Sequence, residues 1–367
     1  MMFILAALTV CSAILTVPAS AHDTGRAPMR TALDRQAAVA RIAKFAGVSD
    51  ADVRYERAGK SSYNANVPIE LYLVGQDQFE INIQTNEIIQ TGPGPRAEGV
   101  APKARRNEAL YSKATLEAKA RALVATQTKV SLDALTANHT EKTITAAASN
   151  KPDTHAETAG TLVVYYFFRW EDRTRTIEGL PAFVQVGFSG AGDLLSYTNT
   201  LGLGSGRSSA AVVAPRRDTQ APLALTGPYY YANGGGYYSW GGPTASRYFA
   251  GNQGYCYFAG WCNPKNMEWT TSTYSIVVNS ATWDNINTSG QDGTLKVYIP
   301  CVHAGTRRAR YEITYQGYTT RDVDQSPYCN TWVQIAYLRD IQFVRLTDLT
   351  EESTSTEIGF DEIQIIY

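Results

Sequence analysis

Gly293-Thr-Leu-Lys-Val-Tyr-Ile-Pro300 is the stretch that decides the fold. Leu295, Val297 and Ile299 alternate with Thr294, Lys296 and Tyr298, the period of two that buries one face of a sheet. Tyr311, Ile313 and Tyr315 repeat the pattern, and residues 332–337, 343–346 and 363–367 add further β-branched and aromatic runs. Clusters of Gly, Pro, Asn, Asp and Thr, which favour turns, separate them. Many short strands with no helical period between them predict a β-sandwich or jelly roll.

The order of these runs carries more information than any one of them. From Ala281-Thr-Trp283 through the 293–300 strand, Ala309-Arg-Tyr311, Val323-Asp-Gln325, Trp332-Val333 and Val344-Arg-Leu346 to Phe360-Asp361, the chain resembles the golvesin-type C-terminal domain, a xanthan-lyase carbohydrate-binding-like module. The resemblance covers residues 273–367. It implies an antiparallel jelly roll on a secreted bacterial protein, with a role in binding carbohydrate or another polymer; a shared fold does not by itself name the ligand.

The chain has 367 residues, of which 44% are hydrophobic, enough for two or three domains with real cores. A formal net charge of −1, with no run of Lys or Arg forming an obvious basic stripe, makes nucleic acid an unexpected partner. Residues 3–17 are apolar and lead through Pro18 to Ala19-Ser20-Ala21, which reads as a signal peptide, residues 1–21, cleaved before His22. No Lys or Arg precedes the apolar run, and it is shorter than the ~20 residues a membrane span needs. Cys11 follows Val10, which disfavours lipidation. The expected location is therefore secreted and extracellular, with no membrane span.

Export makes disulfides the natural reading of Cys256, Cys262, Cys301 and Cys329. Of the possible pairings, Cys256 with Cys262 and Cys301 with Cys329 are favoured. CxxC or Cys/His metal spacing is absent, and neither a metal nor a cofactor is expected.

Upstream, Val39, Ile42, Ala43 and Ala46 fall on one face of a helix that Gly47 stops, and alternating strands follow at 69–73 and 79–83. After Arg106 the plan recurs. Leu116, Ala120, Leu123 and Val124 line a helix, and strands follow at 161–169 and 183–188. Phe79-Glu-Ile-Asn-Ile83, a turn and Ile88-Ile89 mirror Val184-Gln-Val-Gly-Phe188, a turn and Leu194-Leu195. This helix-and-hairpin pattern resembles the PepSY domain. The resemblance implies small α+β units, at 29–95 and 105–203, with roles in inhibiting a secreted protease or assisting its folding. Residues 204–227 read as a linker, and 228–367 as the sandwich with a Tyr/Gly-rich leading segment.

That segment and a few sandwich residues supply the candidate ligand contacts. Tyr237, Tyr238 and Trp240 could stack on apolar sugar faces, and Tyr311, Tyr318 and Gln325 could line a concave face. Trp283 and Trp332 are expected to point inward. Catalytic groups are harder to find: no histidine begins HExxH, His155-Ala-Glu157 lacks a following PCxxC, and Ser189 sits in a hairpin without the GxSxG spacing. Gly202-Leu-Gly-Ser-Gly206 lacks a surrounding βαβ unit.

Asp348, Glu351, Glu352, Asp361 and Glu362 could serve a hydrolase or lyase, or Asp348 with Glu351 a calcium ion. The leading expectation is a non-catalytic protein that binds a polysaccharide or cell-wall polymer. The alternatives are protease inhibition or folding assistance by the N-terminal units, and a polysaccharide lyase or hydrolase.

Overall fold

The computed structural model describes residues 32–106, 108–146, 161–177, 180–203, 228–231, 238–250, 267–284, 286, 290–352 and 356–367. The segments read as signal peptide and linker lie outside these residues, as do Tyr237, Cys256 and Cys262. Among the described residues the chain is mostly strand with two α-helices, and neither helix is long and apolar enough to cross a membrane.

The first half runs α1 (Ala32–Ala46), β1 (Arg54–Lys60), β2 (Pro68–Val74), β3 (Asp77–Asn82) and β4 (Ile88–Pro93), then α2 (Lys113–Gln127), β5 (Thr136–Ala146), β6 (Thr161–Ile177), β7 (Leu180–Ser189) and β8 (Leu194–Asn199). Gly47, at φ +68°, ends α1, and the Val48 amide reaches back to the Ala43 carbonyl. Ser112 caps α2 by accepting from the Thr115 amide at 3.2 Å.

The strands form one antiparallel sheet in the order β1-β2-β3-β4-β8-β7-β6-β5. Helix followed by four strands thus occurs twice, and the two runs meet where Gln90 faces Thr198 and Thr91 faces Tyr197. The two runs expected as PepSY-like units share this single continuous sheet. One of its faces packs Phe79, Ile81, Val184, Val186 and Tyr197 against Ile42, Leu116, Ala120 and Val124 of the helices.

The second half contributes β9 (Pro228–Tyr231), β10 (Tyr238–Gly241), β11 (Tyr248–Ala250), β12 (Met267–Thr271), β13 (Ser280–Trp283), β14 (Asp292–Ile299), β15 (Ala309–Thr314), β16 (Tyr318–Val323), β17 (Thr331–Arg339), β18 (Phe343–Thr347), β19 (Glu357–Phe360) and β20 (Ile363–Ile366). They form antiparallel sheets ordered β10-β13-β18-β15-β16, β17-β14-β20-β9 and β11-β12-β19. Leu295, Val297, Ile299, Ile363 and Ile365 from one sheet meet Ala281, Tyr311, Ile313, Val344 and Leu346 from another. This is the sandwich core predicted by alternation, and Ile358 and Phe360 of β19 join it.

The expectation of one buried face fails in an instructive way. Lys296 and Tyr298, on the other side of β14, are also buried. Tyr298 and Trp332 pack against Tyr63, Ile69, Ile89 and Phe183 of the eight-stranded sheet. Polar side chains of that sheet finish the contact by donating to backbone carbonyls of residues 325–334. Gln90 Nε2 donates to the Trp332 carbonyl (2.8 Å), Gln185 Nε2 to Cys329 (2.9 Å), and Ser196 Oγ to Pro327 (2.7 Å). Lys142 Nζ donates to the carbonyls of both Gln325 (3.0 Å) and Tyr328 (2.9 Å). Cys301 and Cys329 form the favoured disulfide beside this contact, packed with Ile144, Tyr165 and Phe167.

Candidate functional site

Alternation decides the fate of the predicted contact residues. Trp240 pairs with Ala281, Ala281 with Leu346, and Leu346 with Tyr311, so these four share a row of one sheet. Ala281, Leu346 and Tyr311 are core residues, so the row faces inward. Tyr238 shares that face. Its ring lies 5.7 Å from that of Trp283, and Trp240 meets Phe360 edge-on at 5.3 Å.

Tyr238 and Trp240 are therefore half-buried packing residues, and the Tyr238 hydroxyl donates to buried Glu268, which also pairs with Arg247. Burial drives the Tyr238 hydroxyl well above its ordinary pKa, with the adjacent Glu268 charge adding to it. Tyr311 is buried in the core instead of lining a concave face.

Gln325 is fully buried and acts as a clamp: its Nε2 donates to the Gly359 carbonyl (3.0 Å) while its Oε1 accepts from the Gly359 amide (3.2 Å). Its neighbour Asp324 pairs with Arg105 at 2.9 Å, both side chains buried. Of the predicted set, Tyr318 alone among the described residues is exposed, on edge strand β16 with its ring on the face away from the core. The structure does not bring the described members of this set together around one cavity.

The acidic candidates are equally committed. Asp348 accepts from the amides of Val278 (2.9 Å) and Asn279 (2.8 Å), and Glu351 pairs with Arg308 and Arg310. No group of His, Cys, Asp and Glu among the described residues is arranged to hold a metal ion.

A different place has the features of a site. In the sheet β11-β12-β19, Tyr248 pairs with Trp269 and Trp269 with Gly359. A Cβ on Gly359 would fall 3.0 Å from Pro300 and 3.1 Å from the His303 carbonyl, so glycine lets the turn after β14 lie close. That turn holds His303 at φ +54°, a conformation a non-glycine residue keeps only when its surroundings fix it. Here the Cys301–Cys329 bond and hydrogen bonds from the Gly305 (2.9 Å) and Thr306 (3.1 Å) amides to the Glu357 carbonyl do so.

The outcome is a column of three rings. Trp269 stacks on His303 with centroids 4.1 Å apart and planes 3° from parallel, and Tyr248 stacks on Trp269 at 4.5 Å. Glu357 Oε2 sits 3.0 Å from His303 Nδ1, which places the ring hydrogen on Nδ1 and leaves Nε2 as an acceptor in the neutral ring.

His303 and Glu357 line a cleft of about 460 Å³ that also takes in Glu141, Thr143, Thr271 and Thr356. One wall belongs to edge strand β5 of the eight-stranded sheet and the other to the sandwich. Glu141 and Glu357 are each close to half-exposed, whereas Lys142 Nζ turns away to its two carbonyls. Burial pushes the Lys142 ammonium down to about 7 despite the opposing charge of Asp324. A second cleft, of about 450 Å³, is bounded by Asp77, Lys103, Arg106 and Asp193, whose charges pair with one another.

Composition gave no sign of His303, Trp269 and Tyr248 as a group, because they come from separate elements. The signal that could have found them is a lone histidine after Ile-Pro-Cys, tied by a disulfide.

No family model matches the sequence, and no curated protein matches it; the golvesin-type and PepSY resemblances rest on the residues quoted for them. Solved structures give weak likenesses. Paenibacillus xanthan lyase is 13% identical over 64% of this chain, with a TM-score of 0.28, and the chain spans only 26% of the lyase's length. An exo-β-1,3-galactanase from Phanerochaete chrysosporium is 9% identical over 85% of this chain and 68% of that one, with a TM-score of 0.26. These neighbours are carbohydrate-active proteins and enzymes. The expectation that this chain is not an enzyme is corrected accordingly and is not kept.

Proposed function

We propose that this is a secreted protein that engages a glycan at the His303 cleft, the chain comprising a signal peptide, two repeated α+β runs and a golvesin-like sandwich. The supporting observation is the stacked column Tyr248, Trp269 and His303 beside two half-exposed carboxylates. Rings offer flat apolar faces to the C–H faces of sugars as they do to one another, while carboxylates and hydroxyls accept from sugar hydroxyls. Tyr248 is 44% exposed and extends the column to solvent.

A pull-down against insoluble polysaccharides and cell-wall material tests the reading. The full chain is expected to be retained by at least one polymer, with Tyr248→Ala and Trp269→Ala each weakening retention about tenfold or more. Wild-type retention left intact by both substitutions would remove the cleft from the account.

A further inference from the structure

We propose that the His303 cleft selects a glycan bearing ammonium groups, an amino-sugar polymer, over a neutral or uronate polymer; this rests on the reading that the cleft binds a glycan. Three observations on charge carry it. Glu141 stands on the β5 wall and Glu357 on the β19 wall, so the cleft is acidic on both sides. The only basic lining groups among the described residues are His303 and Lys142. The Lys142 ammonium is buried against the carbonyls of Gln325 and Tyr328 and is not offered to a ligand anion, and His303 turns its Nδ1 to Glu357 and leaves only Nε2, an acceptor in the neutral ring.

Lys113 pairs with Glu141 at 2.8 Å, and both side chains are nearly half-exposed, an arrangement in which an arriving cation competes readily. A uronate would meet two carboxylates, and Lys113, the cation beside them, is already engaged by Glu141. A protonated amine would meet two acceptors beside His303, the ring of the column that lines the cleft.

Calorimetry on the full chain decides the matter, at a mildly acidic pH that keeps sugar amines protonated. The probes are a glucosamine oligomer, its N-acetylated counterpart of the same length, and an oligogalacturonate. The glucosamine oligomer is expected to bind about tenfold more tightly than the N-acetylated one, and the oligogalacturonate weakest. In the Glu141→Gln/Glu357→Gln double variant the gap should close to about twofold.

Equal affinities, preference for the oligogalacturonate, or a gap that survives in the double variant each overturn the proposal. The last would mean general attraction of a polycation. Glu141→Gln alone gives a second test should the double variant lose its melting transition. If the pull-down polymers bind through Tyr248 and Trp269 but glucosamine holds no advantage, this proposal fails alone; if no glycan binds in either experiment, the underlying reading fails with it.

Discussion

Strand β14 is buried on both sides, and the two sides are built differently. Toward the sandwich, Leu295, Val297 and Ile299 meet aliphatic side chains of the opposing sheet. Toward the eight-stranded sheet, Lys296 and Tyr298 enter a layer in which glutamines, a serine and a lysine donate to carbonyls of β17 and the loop before it. The first contact is non-directional and tolerates sliding. The second fixes position, because each donor must find one carbonyl and an unmet buried partner costs about 1–3 kcal/mol. It also sets the walls of the His303 cleft, since β5 lies on one side of it and the turn after β14 on the other.

Breaking the charge clamp on the polar side should have the largest effect. Asp324 is buried between Arg105 and Arg307. Burial opposes its ionisation, yet those two guanidiniums hold its carboxyl below the usual range. Asp324→Ala leaves Arg105 buried without its partner and is expected to destabilise by about 3–5 kcal/mol in chemical denaturation. Because the folded pKa is depressed, the pair's stabilisation is present above the ordinary carboxylate pKa and is lost as pH falls through the folded one. A midpoint unmoved by the substitution would show that the clamp contributes nothing.

On the aliphatic side, Leu295→Ala removes methyl groups from a fully buried position and should cost about 2–5 kcal/mol. Hydrogen exchange distinguishes the two lesions. Leu295→Ala is expected to loosen β13, β15 and β18, whereas Gln90→Ala should loosen β17 and β4 while leaving those strands protected. Gln90→Ala strands the Trp332 carbonyl, with an expected cost of about 1–3 kcal/mol. Identical exchange patterns would mean that the two faces act as one cooperative layer.

The contrast also explains what the sequence could disclose. Alternation at 293–300 and 309–315 located the aliphatic core, because a period of two is the direct signature of a buried face. The same rule misled on the other face: Gln78, Glu80, Gln90, Gln185, Ser196 and Lys296 are polar and buried, since a second layer covers them. Strands β1 and β5 escaped notice because Arg54–Lys60 and Thr136–Ala146 are sheet edges, polar and mostly exposed. Tyr311 and Gln325 were legible as members of the sandwich and misread as its ligand contacts. A residue that identifies a fold tends to be one that holds it together, as Gln325 does by gripping both backbone groups of Gly359. The His303 column was illegible because Tyr248, Trp269 and His303 meet only through sheet register and the turn after β14.

Lys142 sharpens the comparison most finely, because it lies on the polar side and adjoins the cleft. Its folded pKa, pushed down to about 7 from 10.5, means that the unfolded chain holds a proton the folded chain gives up between those values. Unfolding therefore takes up a proton in that window, and stability should rise with pH from about 7 to about 10.5, by at most about 1.4 kcal/mol per pH unit. The neutral amine still has two hydrogens for the Gln325 and Tyr328 carbonyls, so the contact survives deprotonation. Lys142→Met should abolish the slope and lower the baseline, because both carbonyls lose their donor. Denaturation midpoints at a series of pH values measure the two effects separately. A slope that persists in Lys142→Met would assign it to another group, and a wild-type curve flat across the window would mean that Lys142 keeps its charge against those carbonyls.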